Sequence, residues 1–305
     1  MTSAPRAGEI SIVLEPERQT LRARGSEAIS WLNGLSSIEL KAVAPGRGAF
    51  GLLLTKTGKI QTDLDVLARP GELVLGVGAG VGDAIRKVLD QHLVMEDVEL
   101  EAAPELVWLR LLGPGAGALA ASTPEAVAHG TIDWLGSAEA VRGAALVVER
   151  SAVDQTLRGL LERAPGSRVL EREAWDLLRL RHGFPEFGRD YGSDDNPHEA
   201  ALDRRAVSWD KGCYLGQEVV CMQDMRGRVK RRLSVLRIDS AQLPAAGVAV
   251  AADDKSESVG IVRSAAFEPN GGVLAFARLA SPYFDTQSPP ALSVLGSPAR
   301  IVPLP

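Results

Sequence analysis

The pattern of short strands in the last quarter of the chain most restricts how it can fold. From Arg231 onward, runs such as LSVLRID, GVAVAAD, ESVGIVRSAAF, GVLAFARL and PARIVPL are separated by glycine, proline and aspartate. Short strands at regular intervals with turn residues between them are typical of a small β-barrel or sandwich. The sequence therefore predicts a domain boundary near Lys230 and a C-terminal β-barrel-like domain over residues 230–305.

Residues 1–229 carry a different pattern, in which helices accompany the strands. Strands are predicted at Leu106–Leu112 and Ala144–Val148, and amphipathic helices at Ala152–Ala164 and Glu171–His182. This order predicts an α+β architecture, with helices packed on one face of an antiparallel sheet. We expect two interleaved domains of this kind before the boundary.

Two local predictions in this part are specific enough to check. Ser26 is expected to cap a helix through EAISWLNGL, with Ile29, Leu32 and Leu35 on its inner face. The segment VMEDVEL, Val94–Leu100, is expected to form a strand.

Composition excludes several classes of protein. Of 305 residues, 45% are hydrophobic and 24% charged, as in ordinary globular proteins. No apolar run approaches the ~20 residues of a membrane-spanning helix, and a net charge of −5 gives no support to nucleic-acid binding. With two cysteines, a disulfide scaffold is excluded. A metal site from Cys213, Cys221, His182 and His198 is only weakly supported, because no C-x-x-C or H-x-x-H spacing exists, and none is expected. We expect a monomeric, cytoplasmic protein that binds neither membrane nor nucleic acid.

The most informative stretch is AVSWDKGCYLGQEVVCMQDMRGRVKRRL, residues 206–233. A helix is predicted at Gln217–Met225, so Cys213 lies in a loop just before a helix N-terminus and beside Lys211. The unpaired N–H groups of a helix end and the positive charge of a lysine both favour a thiolate. Cys213 is therefore a candidate nucleophile with Lys211 beside it; the alternative is a small, buried hydrophobic side chain.

Neighbouring residues bear on that choice. Gly212 and Gly216 bracket the cysteine, and glycines permit tight turns or a close approach of the backbone to a ligand, which favours the functional interpretation. Val207–Trp209 is predicted to end a strand. Cys221 lies inside the predicted helix and is expected to be shielded by packing.

A run of five cations follows in this otherwise acidic protein: Arg226, Arg228, Lys230, Arg231 and Arg232. One interpretation is a solvated strand edge that is protected by its charge. The other is a binding site for an anionic ligand. Nucleic acid is the less favoured ligand, because the run is short and no aromatic residues interleave it.

The segment KGCYLGQE, residues 211–218, resembles the motif of the YgfZ-type folate-binding proteins, which are relatives of the glycine-cleavage T-protein, an aminomethyltransferase. The resemblance extends over nearly the whole chain. Further segments that resemble family blocks are GSEAISWLNGLSSIEL (25–40), LLLTKTGKIQTDLDVL (52–67), LRLRHGFPEFGRDYGSDDNPHEAALD (178–203), and GIVRSAAF with GVLAFARL (within 260–279). The resemblance implies a T-protein-like fold of three small domains, arranged as a ring around a central channel where the folate sits.

The same resemblance implies a function. The protein would be a tetrahydrofolate-binding accessory factor for the assembly or repair of iron–sulfur proteins. Its ligand would be tetrahydrofolate or a one-carbon derivative, and its partners would be iron–sulfur client or assembly proteins. Cys213 would handle an iron–sulfur intermediate, a persulfide or a one-carbon adduct.

Glu199 is carried over from the family as the ligand of the pterin. A carboxylate can accept two parallel hydrogen bonds from the 2-amino group and N3–H of a pterin. The alternative is an acid near the N-terminus of a helix after Pro197. The residues assigned to folate are Glu199, Tyr214, Gln217, Glu218, Arg226 and Arg228, with the cations near the glutamate tail.

Two departures from the family pattern bear on the reaction. Cys221-Met222 stands where the family usually has Ala-Arg, so Arg226 or Arg228 would have to replace that arginine. The T-protein has paired aspartates where this chain has Thr62-Asp63, which argues against aminomethyl transfer. The alternative function, a folate-dependent aminomethyltransferase or demethylase-like enzyme, would depend on Asp63.

Overall fold

The computed structural model describes residues 9–136, 138, 141–227, 229–252, 257–285 and 291–303. The chain divides into two compact units. The two-sheet unit contains the described residues of 4–170 and 205–217, and the barrel unit contains those of 171–204 and 218–305. The predicted division into two interleaved domains up to residue 229, and their arrangement as a ring, stay predictions.

The two-sheet unit contains two sheets and four α-helices in its described part. Its strands are β1 Ser11–Glu15, β2 Gln19–Arg24, β3 Gly46–Arg47, β4 Ala49–Leu54, β5 Ile60–Arg69, β6 Glu72–Val77, β7 Glu99–Ala102, β8 Leu106–Leu112, β9 Ala126–Thr131, β10 Gly143–Glu149 and β11 Arg168–Val169. Its helices are α1 Ala28–Leu35, α2 Gly82–Asp90, α3 Ala116–Ala121 and α4 Val153–Arg163. One sheet has the order β11-β1-β8-β10-β9-β3 and the other β4-β5-β6-β2-β7.

Each sheet buries an apolar face under its own helices. In β5, Leu64 and Val66 enter a core with Leu32 of α1 and Ile85 of α2. Since successive strand side chains alternate between the faces, the acids that flank Leu64 turn to the opposite face. The six-stranded sheet has an equivalent core, in which Ile12, Leu109 and Leu146 pack with Leu119 of α3 and Leu160 of α4.

The barrel unit confirms the short-strand prediction. Its elements are α5 Arg172–Arg181, α6 Gln217–Arg226, β12 Arg231–Ile238, β13 Ala249–Ala252, β14 Gly260–Phe267, β15 Val273–Ala280, β16 Leu292–Val294 and β17 Ser297–Val302. The strands close into a barrel in the order β12-β15-β14-β13-β16-β17. The first residue of α6, Gln217, falls in the two-sheet unit, and the rest of the helix falls in the barrel unit. Leu177 and Leu180 of α5 pack on Leu233, Val235 and Phe276 of the barrel.

The predicted inner face of α1 is confirmed at Leu32 and Leu35 and wrong at Ile29. Ile29 is 37% exposed, whereas the buried side chains are Ala28, Trp31, Leu32 and Leu35. Spacings of three, four and seven residues place these four on one stripe, and the large Trp31 side chain fixes which stripe is buried.

The predicted cap of α1 is also wrong. Ser26 donates its hydroxyl hydrogen to Asp97 Oδ2 at 2.7 Å, and the N-cap residue is Glu27, whose side chain makes no capping bond. The Ser26 hydroxyl therefore bonds to Asp97, far along the chain, and does not cap α1.

The strand predicted at Val94–Leu100 begins later, at Glu99. The Glu96 carboxylate accepts the N–H groups of Val94 and Met95, which bends this segment into a turn. Val94 and Met95 are 82% and 91% exposed, so their apolar side chains are not part of a sheet.

Among the described residues, the helices are too short or too polar to cross a lipid bilayer.

Candidate functional site

Cys213 lies in an irregular loop of the two-sheet unit, with its side chain exposed to solvent. Helix α6 begins at Gln217, four residues after the cysteine, as the sequence predicts. Cys221 on that helix is half-buried, so the two thiols differ in exposure in the expected direction. The strand end predicted at Val207–Trp209 is wrong, because none of these residues lies in a strand and Trp209 is part of a turn.

The chain that leads to this loop is bonded to the segment that follows α1. Ser208 donates its N–H to Ser37 O at 2.9 Å, and its hydroxyl accepts the Glu39 N–H at 3.0 Å. The Ser37 hydroxyl donates to Ala206 O and accepts the Leu52 N–H. Two segments far apart in sequence are thereby fixed to one another.

Lys211 makes the most concentrated set of polar contacts in this loop. Its ammonium donates to Ile38 O at 2.7 Å, Ser36 O at 2.7 Å and Asn33 O at 2.8 Å, and the side chain is buried. Burial lowers the pKa of Lys211 to about 8; the nearby Glu39 carboxylate opposes this and Lys41 adds to it. We call the ammonium and its three carbonyls the Lys211 anchor.

Tyr214 and Gly216 complete the loop. Tyr214 is buried, and the Lys211 ammonium lies 5.2 Å from the centre of its ring, within cation–π range. Gly216 has φ of +83°, and a Cβ there would collide with the Thr55 carbonyl oxygen. The glycine is therefore required at 216, whereas the position of Gly212 has open space around it.

Glu199 lies in the barrel unit, where its carboxylate is bound by neighbouring groups. Its Oε2 accepts the Asn196 backbone N–H at 3.1 Å, and Asn196 Oδ1 accepts the Glu199 N–H at 2.9 Å. This reciprocal pair has the bonding pattern of a capping box, here at the start of a turn, because residues 197–201 form no helix. Its Oε1 accepts Arg231 Nε at 3.2 Å. The predicted pterin ligand is thus also a structural acid, and a pterin would compete with Asn196 and Arg231 for its oxygens.

The remaining predicted folate ligands are spread over α6 and the residues after it. Gln217 is half-buried, while Glu218 and Arg226 are exposed. Arg228 lies outside the described residues. Within the cationic run, Arg231 also binds Asp194 O, and Arg232 bonds to His198 O at 2.8 Å and Asp203 Oδ1 at 3.0 Å. These last two arginines therefore hold β12 to the Glu199 loop.

Asp63 belongs to a buried group of charges between the sheets, which we call the charge cluster: Glu15, Arg18, Asp63, Asp65 and Arg110. Arg18 contacts Asp63 at 3.3 Å and Asp65 at 2.9 Å, and Arg110 contacts Asp65 at 3.2 Å and Glu15 at 2.7 Å. Three carboxylates face two guanidiniums. Burial raises the pKa of both Glu15 and Asp63, although the arginines act in the opposite direction.

The residue before Asp63 is also committed to internal contacts. The Thr62 hydroxyl donates to Asp63 O and accepts the Gly78 N–H, both at 2.9 Å. Asp63 itself is 4% exposed. Thr62 is thus bound to the backbone, and Asp63 is a buried, ion-paired acid.

Sequence reasoning missed the partners of these groups. The N-x-x-E spacing of Asn196 and Glu199 is a local signal that could have predicted the capping box. Alternating acids in a strand, such as Asp63 and Asp65, could have indicated a polar face. No local pattern could have paired Lys211 with carbonyls more than 170 residues earlier.

No family model matches the chain. It is 25% identical to "Iron-sulfur cluster assembly factor IBA57, mitochondrial" of Mus musculus, over 76% of this chain and 67% of that protein. It is 27% identical to "tRNA-modifying protein YgfZ" of Sodalis glossinidius, over 73% and 70% of the two chains. It is 26% identical to an aminomethyltransferase of Chlorobium chlorochromatii, over 81% and 72%.

A solved structure establishes the fold. The aminomethyltransferase T of the glycine cleavage system from Bartonella henselae superposes with a TM-score of 0.79 at 18% identity, covering 99% of this chain and 87% of that one. The closed six-stranded barrel and the mixed sheets with few helices agree with this match. The chain thus has the fold of the T-protein, and in sequence it is similar to YgfZ, IBA57 and aminomethyltransferase proteins.

Proposed function

We propose that this protein is a tetrahydrofolate-binding accessory factor for the assembly or repair of iron–sulfur proteins, with Cys213 as its reactive thiol. The observation that carries the proposal is the presentation of Cys213: an exposed thiol in a loop that is fixed on both sides. The name of the IBA57 relative supports the iron–sulfur role, and the resemblance to YgfZ-type proteins supports the folate.

The chemistry assigned to Cys213 needs sulfur. A thiolate is a strong nucleophile and a metal ligand, whereas a serine hydroxyl at the same place holds its proton too tightly for either role at neutral pH. Since Cys213 is exposed and Cys221 is half-buried, we assign the reactive role to Cys213. The cytoplasmic location, the monomeric state and the client proteins stay predictions.

The test is complementation of a strain that lacks this protein, with the activities of several iron–sulfur enzymes as the readout. Cys213→Ser should fail to restore them, while the matched control Cys221→Ser should restore them as the wild-type chain does. Full restoration by Cys213→Ser would overturn the proposed role of the thiol.

The folate part is tested by titration with tetrahydrofolate. Glu199→Gln keeps an oxygen for the capping box but loses the charge and the two-oxygen acceptor that a pterin would use. Removing one partner of a charge-assisted pair should weaken binding about 10- to 100-fold. Unchanged affinity in Glu199→Gln would remove Glu199 from the site.

The alternative function, folate-dependent aminomethyl transfer or demethylation, is supported by the names of other relatives. The charge cluster disfavours it, because Asp63 is buried and ion-paired to Arg18. A direct transfer assay decides between the two functions. Robust transfer that is lost in Asp63→Asn and survives in Cys213→Ser would establish the enzyme instead.

A further inference from the structure

The Lys211 anchor uses every proton of the lysine ammonium. An ammonium has three N–H groups, and three backbone carbonyls accept them at 2.7–2.8 Å. The Lys211 side chain is buried around these contacts. No N–H is left over for a thiolate, so the contacts are those of an anchor.

The Lys211 ammonium lies at the C-terminus of α1, where a positive charge stabilises a helix. The last carbonyls of an α-helix have no partner within the helix, and its C-terminus carries partial negative charge. Asn33 is in the last turn of α1, and Ser36 is its C-cap residue. Lys211 therefore caps α1 from a position far along the chain.

A second fixed point lies on the other side of Cys213. Gly216 packs against the turn after β4, so closely that a side chain at this position would collide with Thr55 O. Between the two points, the Tyr214 side chain is buried while Cys213 is exposed. The backbone that carries the thiol is thereby held at both ends.

We propose that Lys211 is a positioning residue, which fixes the backbone of the Cys213 loop on the end of α1 and takes no part in the chemistry of the thiol. The importance of this positioning rests on the proposed function of Cys213. The anchoring itself can be measured without any iron–sulfur client or folate.

The first measurement is hydrogen exchange of the amides in residues 206–217. Lys211→Met removes all three donors and should accelerate exchange about 10- to 100-fold, as expected when two or more net hydrogen bonds are lost. Lys41→Met is the matched control: it removes a nearby, exposed positive charge that contacts none of the three carbonyls. Its exchange should equal that of the wild-type chain.

The second measurement separates an anchor from a charge partner of the thiolate. In a Cys221→Ser background, the rate of alkylation of Cys213 by a neutral reagent is followed against pH. Lys211→Met should leave the midpoint of this profile unchanged. If the ammonium stabilised the thiolate directly, the midpoint would rise by about one unit or more, which would overturn the proposal, as would unchanged hydrogen exchange in Lys211→Met.

The conservative variant completes the test. Lys211→Arg keeps the charge and supplies several N–H donors but cannot give up a proton. It should restore part of the exchange protection and part of the complementation that Lys211→Met loses. Protection without complementation in Lys211→Arg would indicate proton transfer by the lysine and contradict the proposal. Failure of the proposed function would instead be seen in Cys213→Ser, so the two failures are distinguishable.

Discussion

The loops that carry Cys213 and Glu199 are both held by buried polar contacts, but the candidate functional groups have opposite parts in them. In the first loop, Lys211 makes the structural contacts and Cys213 remains exposed. In the second, Glu199 is itself the structural contact, through its bonds to Asn196 and Arg231. A substitution of the cysteine therefore tests chemistry alone, whereas a substitution of the glutamate tests stability and binding together.

The largest effect in this comparison is expected for the stability of Glu199→Ala. The variant loses the capping box and leaves Arg231 and the Asn196 N–H without their carboxylate, which should lower the free energy of unfolding by about 2–3 kcal/mol. Urea unfolding measures the change. Glu257→Ala, an exposed acid of the same unit, should stay within about 0.5 kcal/mol of wild type. Equal stability of Glu199→Ala and wild type would mean that Glu199 is a ligand only.

The next effect is a pH dependence that comes from the burial of the Lys211 ammonium. The pKa of Lys211 is about 8 in the folded chain, below its ordinary value of 10.5. Between these values the unfolded chain binds the proton more tightly, so this contribution to stability rises with pH and is lost as pH falls through 8. The rise should be on the order of 1–2 kcal/mol and absent in Lys211→Met. A wild-type stability that fell relative to the variant over this interval would contradict it.

A smaller effect concerns Arg226, which is exposed on the last turn of α6. If it contacts the glutamate tail of folate, Arg226→Ala should weaken binding of a polyglutamylated folate by about 0.2–1 kcal/mol and reduce its salt dependence. Monoglutamyl folate is the control ligand and should be affected less. The same salt dependence in the variant and the wild-type chain would remove Arg226 from the tail site.

The smallest effect on stability is expected for Cys213→Ser. The side chain is exposed and the change in volume is small, so the free energy of unfolding should change by less than about 0.5 kcal/mol. Cys213 should also be alkylated faster than the half-buried Cys221, which peptide mapping after a short exposure to reagent can show. Faster labelling of Cys221 would reverse the assignment of the two thiols.

The comparison also shows which parts of the site have local signals. KGCYLGQE predicts a loop ahead of a helix, because its glycines directly precede the predicted helix Gln217–Met225. The capping box spans only Asn196 to Glu199, so it too is encoded locally. The contacts of Arg231 with that box are not, since they depend on where β12 packs.

The same division holds for the fold. Periodicity over a single element predicted β8 at Leu106–Leu112 and placed α4 and α5 within a residue or two of their ends. The strand expected at Val94–Leu100 failed, because a carboxylate two residues away captured its N–H groups. Single contacts of this kind outweigh a short apolar pattern.

By itself, the sequence determined the α+β pattern of the chain, the short strands after Lys230 and the loop that carries Cys213, because each is set by neighbours within about ten residues. The closure of those strands into a barrel depends on pairs far apart in sequence, such as β12 with β17. Only the tertiary structure decided that Lys211 is bound to the end of α1, that Asp63 is buried and ion-paired to Arg18, and that Glu199 is bonded to Arg231. Buried charges must be satisfied by whatever groups the packing brings to them, and those groups are far away in sequence.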